Sequence, residues 1–301
     1  MPITTLEQMR EAVRGMKVPR VAIAMADDPG ILAAMRQAQD EGLASGMLTG
    51  DAAIIEELAA QHTISLEGLE LFNIPDPQEA ATKCCELVRQ GKASAIMKGS
   101  LFTSTLMRAI LNKQRGLNTG QFISQVAVFE TQPYAKLLFI TDAAINIAPA
   151  VKDKADIIRN AVRVAHLFDI ATPLVACCCA LERVKESMPA TVDAAQLTEL
   201  NKAGEITGCI VNGPLAIDNA LNAECAQVKS IGGPVAGQAD IILCNNIESA
   251  NYLYKAIVFF TEAKVASVVI GATAPIILTS RGDSVETKYW SIILGVFTSI
   301  L

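Results

Sequence analysis

The apolar run Pro275–Leu278 is followed at once by polar side chains that could take part in chemistry. Ser280 supplies a hydroxyl, Arg281 a fixed positive charge and Asp283 a carboxylate. The pattern predicts a strand, a short loop and a helix that starts near Ser284, so these groups would lie where a parallel strand ends and ligands commonly bind. Beside a helix N-terminus they could bind an anion and transfer protons. Alternatively, Asp283 or Ser284 only caps the helix and Arg281 pairs with a surface carboxylate, and this segment alone favours neither interpretation.

A second junction of this kind follows the predicted strand Ser94–Met97. The strand leads into Lys98, Gly99 and Ser100, and Arg108 lies in the helix beyond them. A lysine beside a glycine lets an ammonium and a backbone amide contact the same anion. The spacing is not that of a Walker A loop, and this junction alone slightly favours a solvated lysine with a turn glycine. Two such junctions in one chain favour a ligand that carries phosphate.

The other polar clusters allow a narrower range of chemistry. Asp142 and Asn146 follow the apolar run Leu137–Ile140 and could contact a ligand, although a capping role is slightly favoured. Only two histidines occur, His62 and His166, and neither has a partner at metal-ligand spacing, so no metal site is expected. The G-x-S-x-G and G-x-G-x-x-G motifs are absent from the sequence. An enzyme with this sequence would therefore work mainly with Ser, Arg, Lys, Asp and backbone amides.

Strand and helix patterns alternate along most of the chain, which is typical of mostly parallel sheets flanked by helices. The alternation breaks at Thr131–Pro133, where a hairpin-like link joins two apolar runs. A chain of 301 residues exceeds the usual size of one hydrophobic core. We therefore predict a two-domain α/β fold, in which residues 1–130 plus 275–301 form the first domain and residues 131–274 the second.

Three local predictions depend on single segments. A helix is expected over Asp218–Val228, and Thr191 is expected to cap the helix predicted over Asp193–Lys202. The apolar stretch Tyr289–Leu301 is too short to span a bilayer and is expected to be a helix that packs in the core.

Charge and cysteine content limit the partners and the location. A net charge of −6 argues against general nucleic-acid binding. Hydrophobic residues make up 51% of the chain, but no apolar run approaches the ~20 residues that span a bilayer, so no membrane association is expected. The eight cysteines form no C-x-x-C pair and are expected to be free thiols, with Cys177–Cys179 packed in a buried strand. Together with the acidic, amphipathic start Met1–Arg14, which does not resemble a signal peptide, they predict a cytoplasmic protein.

Ordered sequence blocks along nearly the whole chain are together far more specific than any one motif. On these blocks the chain resembles the phosphate acetyl/butyryltransferase family, and most closely its butyryltransferase branch. The resemblance implies a fold similar to that of isocitrate and isopropylmalate dehydrogenases, an active site in the interdomain cleft, a homodimer, and the conversion of acyl-CoA and phosphate to acyl phosphate and CoA. The blocks are Ile96–Gly99, Thr141–Asn146, Met188–Ala194, Gly213–Ala220 and Pro275–Arg281.

The resemblance also implies roles for single residues. Ser280 would contact the carbonyl oxyanion and Arg281 the phosphate. A general base would deprotonate the CoA thiol. In the acetyltransferase branch the catalytic aspartate falls by spacing on Thr287, whereas the butyryltransferase-like branch places an aspartate at Asp283, which we take as the base. The chain departs from the family pattern at Gln125, Asn212, Asn245 and Ala250.

Two other functions stay open at this point. The same fold could support a metal- and NAD-dependent decarboxylating dehydrogenase, although no suitable aspartate cluster is recognisable in the sequence. Alternatively, a chain that has lost its base could bind acyl-CoA without turnover. For the favoured acyltransferase, coenzyme A is a substrate, and neither a tightly bound cofactor nor a metal is expected.

Overall fold

The structure is a computed structural model that describes residues 2–15 and 17–301. Strands and helices alternate along these residues, as the sequence predicts. The strands are β1 (Arg20–Ala24), β2 (Ser45–Gly50), β3 (Glu70–Asn73), β4 (Ala95–Lys98), β5 (Ser124–Thr131), β6 (Tyr134–Thr141), β7 (Leu174–Cys178), β8 (Ile210–Leu215), β9 (Ile241–Leu243), β10 (Lys264–Ile270) and β11 (Ile276–Ile277). The helices are α1 (Leu6–Arg14), α2 (Pro29–Asp40), α3 (Ala52–Gln61), α4 (Pro77–Arg89), α5 (Thr103–Ile110), α6 (Val151–Leu167), α7 (Pro189–Lys202), α8 (Ile217–Leu221), α9 (Ala223–Val228), α10 (Ile247–Phe260) and α11 (Val285–Thr298).

The chain forms two compact units. The split unit consists of Leu6–Gln121 and Val265–Leu301, and the middle unit of Phe122–Lys264 with the short stretch before Leu6. The limits of independently folding domains stay a prediction, because a compact unit need not fold alone.

The sheet of the split unit has the strand order β3-β2-β1-β4-β11-β10. All neighbours pair in parallel except β10 and β11. The predicted strand at Pro275–Leu278 is only two residues long, Ile276–Ile277, yet both residues pair with β4. The carboxyl ends of β1, β4 and β11 therefore lie side by side at one edge of this sheet.

The C-terminal helix α11 is buried from Thr287 to Thr298, which agrees with the core-packing helix predicted there. It packs on α1 and α2. An apolar helix that is covered on all sides belongs in a core. The loop before α11 is thereby attached to a rigid element.

In the middle unit the strand order is β5-β6-β9-β7-β8, and the hairpin β5–β6 is antiparallel, as predicted. Two local predictions are wrong. The helix expected over Asp218–Val228 is two short helices, because Asn222 ends α8 and its side chain caps α9. Thr191 is not a cap but lies in the first turn of α7, which begins at Pro189, where proline is favoured.

Two further properties concern thiols and membranes. All eight cysteines, which lie in the described part of the chain, are unpaired. Among the described helices, none combines the length and the apolar character that a bilayer crossing requires.

Candidate functional site

The candidate site is built where β1, β4 and β11 of the split unit end. β1 leads into Asp27 and Asp28, β4 ends in Lys98, and β11 leads into the loop Ser280–Asp283. These strands are parallel neighbours, so their polar continuations project from the same sheet edge. The structure thus joins the two junctions that the sequence analysis singled out and adds a third.

Gly99 allows the β4 loop to lie directly against the end of β1. Its amide donates to the Ala24 carbonyl at 2.8 Å, and a Cβ in its place would lie 1.7 Å from the Met25 carbonyl oxygen. The next residue, Ser100, donates its hydroxyl to Asp27 Oδ1 at 2.6 Å. No residue other than glycine can fill this position without moving the backbone.

Lys98 provides a buried positive charge at this edge. Its side chain is buried, and the acceptor within reach of Nζ among the described residues is the neighbouring Gly99 carbonyl, at 3.0 Å. Burial lowers the pKa of Lys98, and the nearby charge of Arg281 lowers it further, while Asp28 acts in the opposite direction. An ammonium with three donors, one neutral acceptor and a cationic neighbour would be stabilised by a bound anion.

Arg281 presents a guanidinium whose position is fixed by the β4 loop. Its Nη2 donates to the Ser100 carbonyl, and its guanidinium carbon lies 5.7 Å from the centre of the Phe102 ring. The contact with the ring is a cation–π interaction. Arg281 itself is exposed to solvent and can therefore meet a ligand.

Ser284, and not Asp283, caps the helix that follows. The Ser284 hydroxyl accepts from the Thr287 amide at 3.1 Å, whereas Asp283 Oδ2 accepts from the Ser280 amide at 2.7 Å. Asp283 in turn donates its own amide to the Ser280 carbonyl at 3.1 Å. The half-buried Asp283 carboxylate therefore belongs to the loop that carries Ser280 and Arg281. Thr287, the alternative position for a base, is buried and takes part in the cap.

The remaining predicted site residues are not part of this contact network. Arg108 donates to Gln78 Oε1 at a long 3.5 Å on the surface of the split unit. Asp142 and Asn146 lie in the middle unit, where Asp142 follows β6 and is buried.

Asp142 organises the loop after β6. Its carboxylate accepts from the amides of Ala144 and Ile145 at 3.0 Å and from Asn146 Nδ2 at 2.6 Å. Burial raises the pKa of Asp142, and these hydrogen bonds partly offset that increase. The next helix, α6, begins only at Val151, so Asp142 closes a turn and does not cap a helix, contrary to the capping role that the sequence analysis slightly favoured.

Sequence reasoning missed three charged residues at the candidate site. Asp27 accepts from Ser100, Asp28 caps α2 through the Ile31 amide, and Lys288 lies beneath the Ser280–Asp283 loop. The pair Asp27–Asp28 follows the buried apolar run Val21–Ala26, which is the same signal that identified Lys98. Lys288 had no such signal because it lies within a helix.

No group of three or more His, Cys, Asp or Glu side chains in the described residues is arranged to hold a metal ion. The expectation that no metal or tightly bound cofactor is needed stays a prediction.

A family model described as phosphate acetyl/butaryl transferase matches residues 77–296, which include every split-unit residue that the sequence analysis proposed for the site. The chain belongs to this family. The family assignment made from the sequence blocks is thereby confirmed. A phosphate butyryltransferase of Clostridium acetobutylicum is 43% identical over 99% of both chains. A phosphate acetyltransferase of Thermotoga maritima is 39% identical over 96% of this chain and 98% of its own.

The fold is shared with a solved structure of this group. A branched-chain phosphotransacylase from Enterococcus faecalis V583 superposes with a TM-score of 0.83, at 29% identity, over 94% of this chain and 99% of its own. The α/β class with mostly parallel strands flanked by helices is therefore confirmed.

Proposed function

We propose that this member of the family is a CoA-dependent phosphate acyltransferase that converts a short-chain acyl-CoA and phosphate to acyl phosphate and free CoA. The observation that carries the proposal is the pairing of two cations at neighbouring strand ends, the buried Lys98 ammonium and the exposed Arg281 guanidinium. Arginine and lysine together are well suited to a phosphate, the one as a planar fork and the other as a point charge. Curated relatives with phosphate acyltransferase names support the same reaction.

The transfer needs no covalent acyl-enzyme. In the direction of thioester synthesis, the CoA sulfur attacks the acyl-phosphate carbonyl, a C–S bond forms, the C–O bond to phosphate breaks, and the thiol proton passes to a base. Ser280 donates its hydroxyl to the carbonyl oxygen as it gains negative charge, and Arg281 neutralises the departing phosphate. Asp283, whose carboxylate is fixed by the Ser280 amide, accepts the thiol proton. In reverse, phosphate attacks the thioester.

Catalysis is assigned to Ser280, Arg281 and Asp283. Binding of phosphate or CoA is assigned to Lys98, Gly99, Ser100, Arg108, Asp142 and Asn146. The acyl group is butyryl or acetyl, in keeping with the names of the relatives. The finer fold prediction, a likeness to isocitrate and isopropylmalate dehydrogenases with an interdomain active site, stays a prediction.

Thiol release tests the reaction directly. Purified protein is incubated with butyryl-CoA or acetyl-CoA, with and without phosphate, and free CoA is measured with a thiol reagent. Phosphate-dependent release is expected for at least one ester. If no short-chain ester releases CoA in a phosphate-dependent way, the proposal is wrong, and CoA binding without turnover would then indicate the non-catalytic alternative. Oxidation of a 2-hydroxy acid with magnesium and NAD, which the comparisons do not favour, serves as the negative control.

The assembly we propose is a homodimer formed through α10. Its Tyr252, Phe259 and Phe260 are 73%, 83% and 85% exposed, and their spacing places them on one face of the helix. Aromatic rings of this kind offer ~150–250 Å² each, so two copies would bury roughly 1,000 Å², which is near the lower end for a stable interface. A second copy fits this face because the same exposed aromatic side chains can pack against each other across a two-fold axis.

The dimer is tested by light scattering after size-exclusion chromatography. The double change Phe259→Lys and Phe260→Lys should give a monomer, whereas Val228→Lys, at another exposed apolar position of the middle unit, should leave the dimer intact. A monomeric parent protein would contradict the assembly. A cytoplasmic location is part of the same proposal, and the eight unpaired thiols support it.

A further inference from the structure

Lys288 is a buried cation to which the proposed reaction assigns no role. The residue is 4% exposed and lies in the first turn of α11. Its Nζ forms a long ion pair with Asp28 Oδ1, at 3.5 Å. That carboxylate also accepts from the Ile31 amide as the cap of α2. Burying a charge is costly even with one ion pair, so its position calls for an explanation.

The ammonium of Lys288 binds the backbone of the loop that carries Ser280 and Arg281. It donates to the Asp283 carbonyl at 3.0 Å and approaches the Arg281 carbonyl at 3.4 Å. Within the loop Ser280 and Asp283 bond to each other, and the Arg281 side chain donates to the Ser100 carbonyl. Lys288 therefore links an otherwise exposed loop to the rigid helix α11.

We propose that Lys288 is a positioning residue, which holds the Ser280–Asp283 loop in the geometry that presents Ser280 and Arg281 to the acyl phosphate. The proposal rests on the proposed function and deepens it. Lys288 acts through backbone carbonyls and does not touch the substrate. Catalytic groups need such support, because small displacements of a reacting or binding group cost large factors in rate.

Gly30 provides an independent way to move the same ammonium. A Cβ at this position would lie 2.9 Å from Lys288 Nζ and 3.1 Å from Asp28 Oδ1. The lysine end is flexible, so Gly30→Ala should displace the ammonium at little cost to the fold. Alanine is also a better helix former than glycine, so the Tm of this variant should stay close to that of the parent.

The test compares Lys288→Met and Gly30→Ala, singly and together, by steady-state kinetics with phosphate and acyl-CoA varied separately. Loss of a charge-assisted hydrogen bond predicts a ~10- to 100-fold decrease of kcat/KM for phosphate in Lys288→Met. Gly30→Ala should show a smaller decrease of the same kind, and no further decrease in the Lys288→Met background. The KM for acyl-CoA should change less than ~2-fold in each variant. Ser280 and Asp283 act on the reacting carbonyl and thiol, so their displacement lowers kcat, whereas displacement of Arg281 weakens the binding of phosphate.

Ile292→Val in the same helix is the matched control for a purely structural effect. It should lower Tm slightly without changing the ratio of the two KM values. If Lys288→Met lowers Tm but leaves the kinetics of the folded protein unchanged, or if the effects of Lys288→Met and Gly30→Ala add, the positioning role is wrong.

Hydrogen exchange separates this inference from the proposed function. In Lys288→Met the amides of residues 280–283 should exchange faster than in the parent protein, whether or not any turnover is observed. Unchanged exchange in this loop would overturn the positioning role. Absence of phosphate-dependent CoA release in the parent protein would instead overturn the proposed function.

Discussion

Arg281→Ala should weaken the use of phosphate far more than the use of acyl-CoA. The guanidinium is exposed, so its simple attraction to a phosphate about 4 Å away in water contributes only ~1 kcal/mol. Its fixed fork, held by the Ser100 carbonyl and the Phe102 ring, adds charge-assisted hydrogen bonds of ~1.5–3 kcal/mol. The larger part of this loss of ~2.5–4 kcal/mol comes from the geometry of the fork, and kcat/KM for phosphate should decrease by a factor of roughly 70–900.

Arg281→Lys separates charge from geometry. Lysine retains the charge attraction of ~1 kcal/mol, so kcat/KM for phosphate in Arg281→Lys should be only about fivefold higher than in Arg281→Ala. The assay is CoA release at saturating acyl-CoA with phosphate varied, repeated with acyl-CoA varied. Arg20→Ala, which removes an exposed arginine paired with Glu70 at the opposite end of β1, is the control and should behave as the parent. Full recovery with lysine, or equal losses for both substrates, would refute the reasoning.

Four further predictions concern the same network. Lys98→Met should raise the Tm of the ligand-free protein and abolish phosphate binding in calorimetry, since it removes a buried charge; a decrease of Tm would contradict this. In the parent protein the pKa of Lys98 is lowered from 10.5, so between the lowered pKa and 10.5 the unfolded chain binds more protons than the folded protein. As the pH rises through this range, the free energy of unfolding should therefore increase and the affinity for phosphate should decrease. A free energy of unfolding and an affinity that do not change with pH there would contradict the lowered pKa. Asp283→Asn should lower kcat at least ~100-fold, with Tm nearly unchanged because an amide oxygen can still accept from Ser280; near-normal turnover would transfer the role of base to another group. Phe102→Leu removes a cation–π contact of ~0.5–1 kcal/mol and should raise the KM for phosphate ~2- to 5-fold, and no change would mean that the ring does not orient Arg281.

The position of the site at the ends of two strands could be predicted from the sequence by a simple rule. Lys98 and Arg281 each follow an apolar run, and parallel strands bring their carboxyl ends to one edge. Which helix cap is used was not predictable, since Asp283 and Ser284 are both good caps and only the loop geometry decides between them. The interruption at Asn222 was missed for a similar reason, because asparagine is tolerated both within helices and at their ends.

The supporting charges could not be predicted from local pattern at all. Asp27 and Ser100 are hydrogen-bonded although they are 73 residues apart in sequence. Lys288 and Asp28 form an ion pair although most of the chain separates them. Such contacts follow from strand order, and one sequence does not specify strand order. The apolar stretch Tyr289–Leu301 identified a buried helix but gave no indication of what Lys288, just before it, would bind.

The interrupted course of the split unit has a consequence for synthesis. The ribosome makes Leu6–Gln121 first and Val265–Leu301 only after the whole middle unit has been made. Until then, β4 lacks its neighbour β11, and its unpaired edge is open to mispairing or to chaperones. Because Arg281 and Lys288 arrive with this final stretch, we expect a nascent chain to acquire its anion site in a single late step, after its largest continuous stretch could already have folded.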